Sequence, residues 1–361
     1  MRTAVALLAL LLPQVATLRP LPGRVPLAKA PPLQPTTLFA ATGRVQLFTA
    51  PSSGAYSFTV AGAGAGGGTG GVGRGGRGAV VTGTALLQEG DVLAVLVGSQ
   101  PPPGSCGGAG GSFVARLGEG ASGREPGVEL LASATPLFVA GGGGRSGDAE
   151  VGDASLTRVG KAAAAPGGAD GGGGASPAAA SDAASCGGGG FSSPGADPQP
   201  VPLSGFFDPR FWGERRLLPC GPGGALSAGG VGGASPPDCG SSKDGGPVDG
   251  CAFLPTTSRD SPGGFGGGGG ARAKRNTNPT QADEPDACAS AAGGGGGGGF
   301  SGGGGGGGGG ASFGASPFAS AAATNEGPGY VVATLLSPGE AAFAAAAAVA
   351  GGSDTHGVAS A

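Results

Sequence analysis

The chain has 361 residues and a formal net charge of -3, and 87 of its residues are Gly, against an ordinary glycine usage of about 7%. Only 12% of residues are charged, which leaves no electrostatic case for binding nucleic acid or an anionic membrane. The single histidine, His356, stands in the tail, which excludes Ser-His-Asp and Cys-His catalysis and histidine zinc sites from the body of the chain.

The first segment, "MRTAVALLALLLPQVAT", places Arg2 before an apolar run from Ala4 to Leu12, ended by Pro13 and small residues. Residues 1–17 therefore read as a secretory signal peptide, too short to span a bilayer. Residues 18–44 are dense in Pro and carry Arg19, Arg24, Lys29 and Arg44 without any acidic residue. They read as an extended linker, or alternatively as the transit segment that follows a signal peptide in algae with complex plastids. The expected location is extracellular, with plastid import as the alternative. Behind a signal peptide, the six cysteines Cys106, Cys186, Cys220, Cys239, Cys251 and Cys288 predict disulfides. Fifteen pairings are open to six cysteines. No C-x-x-C pair supports a zinc cluster, and no metal or other cofactor is expected.

From about residue 45, short Val-, Leu-, Phe- and Thr-rich segments bounded by Gly or Pro predict strands: "VQLFTAP", "GAYSFTVAGAGAGGG", "GAVVTGTALLQEGDVLAVLVGSQ", "GGSFVARLG" and "VELLASATPLFVAGGGG". The third reads as a hairpin broken at "EGD". No stretch carries a helical apolar stripe over ten residues, so the fold class is mainly β, an antiparallel sandwich or barrel. Residues 73–80, "GRGGRGAV", match the phosphate-cradling G-x-G-x-x-G-x-V of protein kinases, but glycine at this frequency gives about five such matches by chance. The first lysine afterwards is Lys161, and neither H-R-D nor D-F-G follows, which excludes the nucleotide reading.

Glycine runs then occupy 141–144, 171–174, 187–190, 266–270, 293–299 and 302–310, interrupted by a Cys- and Pro-rich insert at 191–262. "GDAEVGDAS" (147–155) offers three carboxylates without EF-hand spacing, so a solvated turn is expected there rather than calcium. "RAKR" at 272–275 puts Arg272, Lys274 and Arg275 in the R-x-K-R pattern of a dibasic processing site, with a plain basic loop as the alternative. Pro279 after Asn278 blocks the one glycosylation pattern. "GPGYVVATLLSP" (327–338) predicts a late strand that returns to pair with early ones. The Ala-rich tail, 339–361, holds a short helical pattern at 340–350, too short and too weakly apolar to span a membrane.

The order of "SFTVAGAGAGGGTGG", "GDVLAVLVG", "GGSFV", "PLFVAGGGG", the late glycine runs and "GYVVATLL" resembles the glycine-rich extracellular domain of the anaplastic lymphoma kinase and leukocyte tyrosine kinase receptors. The resemblance covers roughly residues 46 to 337. It implies a jelly-roll-like antiparallel β-sandwich carrying an inserted bundle of polyglycine helices and low-complexity loops, within a domain spanning 45–338. It also implies a non-catalytic module that binds a small protein ligand. The insert at 191–262 departs from the receptors, and no kinase motif and no membrane span appear in the chain. The expected function is a secreted, non-enzymatic binding or structural module, with a protein or extracellular-matrix partner and no nucleic acid. The alternatives are a fragment of a receptor tyrosine kinase, located at the cell surface, and a glycine-rich wall or scaffold protein without a discrete ligand.

Overall fold

In segments such as "AYSFTV" alternation of apolar and small polar residues gives one side that must leave water, whereas "VLAVL" is apolar on both sides. In the computed structural model these segments become β1 (Thr36–Ala40), β2 (Gln46–Thr49), β3 (Gly54–Ala61), β4 (Gly78–Leu87), β5 (Val92–Leu96), β6 (Ser112–Arg116), β7 (Thr135–Ala140), β8 (Ala184–Ser185), β9 (Arg259–Ser261), β10 (Ala271–Ala273), β11 (Phe313–Gly314), β12 (Ala319–Asn325) and β13 (Tyr330–Leu335). A four-residue helix, α1, spans Ala149–Gly152. The structure describes residues 35–66, 75–101, 106–118, 131, 133–146, 148–177, 184–196, 259–261, 263–264, 266–269, 271–273, 295–315 and 319–342. The signal peptide, most of the linker and of the insert, Asn278, His356 and the tail beyond 342 lie outside them.

The protein is mainly β. One five-stranded antiparallel sheet has the order β1-β13-β3-β4-β12, a second the order β11-β7-β6-β5-β2, and a small third sheet the order β8-β10-β9. As expected, the late strand β13 returns to the beginning of the domain, between β1 and β3. Two features differ from expectation. "EGD" does not close a hairpin: β4 pairs with β3 and β12, whereas β5 pairs with β2 and β6. The turn instead carries the chain from one sheet to the other. Gly90 takes φ +88° there, and the Asp91 carboxylate accepts the Gln88 N–H at 3.0 Å. The stretch read as linker also supplies β1, whose Phe39 enters the core.

Side chains of both large sheets meet in one cluster that includes Phe48, Phe58, Val60, Val81, Leu93, Val95, Val114, Phe138 and Val331. The Phe58 and Phe138 rings, one from each sheet, lie 5.7 Å apart. Each such fully buried side chain contributes about 1.5–3 kcal/mol. The second sheet is buried on both sides. Leu93 and Val95 of β5 face this cluster, while Val92, Ala94 and Leu96 join a second one with Phe113 and Val139. Phe191 and Phe300 from the glycine region, and Phe313 of β11, pack onto that second cluster, which is why β5 is apolar at every position.

The glycine segments have no side chains to bury, so their organisation lies in the backbone. Along 295–300 the amide partners repeat every third residue. The N–H groups of Gly295 and Gly298 donate to the carbonyls of Cys106 and Ala109, those of Gly296 and Gly299 to Cys186 and Gly189, and those of Gly297 and Phe300 to Gly308 and Ala311. The carbonyls of the same segment accept from Arg145, Gly269, Gly303, Gly142 and Phe191. Buried serines close gaps in this network. Ser301 Oγ donates to the Arg158 carbonyl at 2.6 Å and accepts the Gly171 N–H at 3.1 Å. Ser112 Oγ donates to the Ala61 carbonyl at 2.6 Å and accepts the Gly98 N–H at 2.9 Å.

Candidate functional site

Of the residues singled out in the sequence, the described ones brought together are Cys106 and Cys186. Cys106 and Cys186 are buried and disulfide-bonded, and no described cysteine is a free thiol. Their carbonyls accept the consecutive amides of Gly295 and Gly296, so both anchor the same glycine segment. Cys220, Cys239, Cys251 and Cys288 lie outside the described residues. Arg272 falls in β10, paired with Asp260 on one side and Ala184 on the other. Lys274 and Arg275 lie outside the described residues.

In "GRGGRGAV" four of the described amides are already engaged. Gly75 donates to the Gly66 carbonyl, Gly76 to Gly144 and Ala79 to Gly141, and Arg77 donates to Asp153. These four amides are therefore not available to cradle a phosphate. Two of the three carboxylates of "GDAEVGDAS" also have partners. Asp148 Oδ1 accepts the Glu150 N–H at 2.8 Å, capping α1. Asp153 takes Arg77 in a two-armed pair, with Nη2 to Oδ2 at 2.6 Å and the backbone N–H to Oδ1 at 2.7 Å. Among the described residues no group of three His, Cys, Asp or Glu side chains is arranged to hold a metal ion. Among them, too, no helix is long and apolar enough to cross a membrane.

The Arg77–Asp153 pair ties the loop before β4 to α1, and sequence spacing gives no signal of it. Partial burial pushes the Asp153 carboxyl up, but the hydrogen bonds and charge of Arg77 outweigh that and hold it below its ordinary value. A carboxyl depressed in the folded state stabilises fully above its unfolded pKa of about 3.9 and loses that contribution as pH falls through the lower folded value. The stability gap between wild type and Asp153→Asn should therefore be widest near neutral pH and close below about pH 4. Urea unfolding across that range measures it, and a gap independent of pH would contradict the assignment. Arg145 is buried in the glycine region, where Nη1 donates to the Gly66 carbonyl at 3.0 Å, and burial pushes its pKa down.

The two large sheets differ in what their outer sides meet. The outer side of the second sheet is covered by Phe191 and Phe300 of the glycine region, beside the sheet's own Phe313. On the first sheet, pairing register builds two outward rows across four strands: Thr36, Thr334, Ser57 and Thr84, then Leu38, Val332, Thr59 and Thr82. The alternate residues Phe39, Phe58, Val60, Val81, Val331 and Ala333 form the core beneath. Neither row contributes to any apolar cluster among the described residues, and neither holds a charge. Leu38 is 67% exposed. Among the described residues this face is a candidate for contact with another molecule, and the strand register reveals it. A scan against protein-family models and a search of curated proteins return no match to the chain.

Proposed function

We propose that this is a secreted, non-catalytic binding module of the kind represented by the glycine-rich ectodomain of the anaplastic lymphoma kinase and leukocyte tyrosine kinase receptors. In this reading the two five-stranded sheets are the layers of a jelly-roll-like sandwich, a reading supported by the shared core around Phe58 and Phe138. The glycine segments are packed threefold helices near polyproline II geometry, which lack internal hydrogen bonds and must bond sideways. The return of the same partner segment every third residue along 295–300 supports that.

The observation that carries the proposal is where the glycine backbone spends its polar groups. The amides of 295–300 bond within the domain rather than facing a reactant, so the glycine region acts as a second core that buttresses one sheet. The other sheet keeps an uncharged face for a partner. The full chain, expressed with its own leader in a secretory host, is expected in the medium, with no maleimide-reactive thiol on unreduced denaturation. It is also expected to be retained by extracellular-matrix components. Intracellular retention with reactive thiols, or a folded protein that no matrix or cell-surface fraction retains, would overturn the proposal.

A further inference from the structure

We propose that the open face of the first sheet binds a neutral, β-linked polysaccharide lying across the strands along the row Thr36, Thr334, Ser57 and Thr84. The inference rests on the binding-module reading and names the chemistry of its partner. Register alone puts a hydroxyl side chain on each of four adjacent strands at the same level, and Thr36 Oγ1 and Thr334 Oγ1 lie 3.3 Å apart. Strands are about 4.8 Å apart, so the hydroxyls recur at a step close to the advance of one ring in an extended β-linked hexose chain. A hydroxyl both donates and accepts, and one that already makes a hydrogen bond keeps further capacity. That suits a ligand whose own groups are hydroxyls. In the next row Leu38 and Val332 offer apolar surface to ring C–H faces, and Thr59 and Thr82 add hydroxyls beside them.

Charge sorts the ligands. Neither row carries a cation for a sulfated or carboxylated glycan, and a neutral chain sheds no ionic hydration on docking. The two rows also lack the aromatic and arginine anchors that dominate protein interfaces. The packed core beneath, with Phe58, Val60 and Val331 at 0% exposure, fixes the rows before binding, so little ordering cost falls on the protein.

The test is co-sedimentation of the oxidised full chain with microcrystalline cellulose, chitin and insoluble mannan, with heparin beads as the anionic comparison. The comparison variant is Ser57→Ala/Thr334→Val, which removes two central hydroxyls while nearly keeping shape. Wild type is expected to sediment with at least one neutral polymer. The double variant is expected to bind about tenfold more weakly with an unchanged melting temperature. Equal binding by the variant, or no neutral polymer bound, overturns the assignment. If the neutral polymers fail but heparin or a protein ligand is retained, the glycan assignment falls and the binding-module reading stands. If the folded chain retains nothing, both fall.

Discussion

Replacing Gly297 by Ala is expected to destabilise the domain by about 3 kcal/mol or more, an effect of the size of a severe overpacking mutation. Alanine is ordinarily the mildest replacement for glycine, and where the backbone tolerates it the unfolded chain loses entropy and stability rises. At Gly297 the surroundings reverse that sign. An added Cβ would fall under 3.0 Å from the Gly142 carbonyl and the Gly310 amide. Both are backbone, with no rotamer to move. Gly310 donates in turn to the Gly142 carbonyl and Gly142 to the Gly298 carbonyl, at 2.9 and 2.7 Å, so relief at one contact breaks another. Gly118→Ala is the control, because nothing lies within 4 Å of a Cβ there. Its melting temperature is expected to match wild type or slightly exceed it. Equal effects at the two positions, measured by denaturant unfolding, would mean that 297 is not packed.

Phe138→Ala is the second large effect, at about 3–5 kcal/mol. The ring is 1% exposed and packs on Phe58, which is fully buried. It also enters the space above Gly83, where a Cβ would lie under 3.0 Å from the ring. Gly83 therefore has a packing reason: β4 gives up a side chain so that a ring of the opposite sheet can reach its backbone. A double-mutant cycle reads this directly. Gly83→Ala should destabilise the wild type by overpacking but cost less in the Phe138→Ala background, where the methyl fills vacated space. Strict additivity would mean that the two sheets do not meet at this point.

The strands with alternating β-branched and aromatic residues were legible in the sequence because their pattern and their burial have one cause. β3 and the returning β13 belong to this group, while β5, β6 and β7 were legible as short apolar runs bounded by Gly or Pro. "EGD" was misread because a tight turn after a strand fits a hairpin and an exchange between sheets equally well. The difference lies in which partners β4 and β5 find, a non-local fact. β12, "ASAAATN", has alanines where strand propensity favours branched residues, and its pairing with β4 makes it a strand. The glycine runs were legible in position but not in partnership. Glycine has no side chain to mark a register, so the neighbours of 295–300 are set by backbone complementarity and by pins such as Ser301 and Ser312. The latter's hydroxyl accepts the Gly141 N–H at 3.2 Å. The uncharged hydroxyl rows were legible only as the separate strings "SFT" and "TGT", which join once the strands align.

The central claim is that glycine here forms a packed second core. Amide hydrogen exchange on peptides covering 295–311, followed in the oxidised protein, tests it most directly. The hydrogen bonds along this segment predict protection comparable to that of β3 and β13, lost together with theirs on global unfolding. Exchange at random-coil rates over 295–311, with protection confined to the two large sheets, would contradict it. The glycine runs would then be a tether rather than a core.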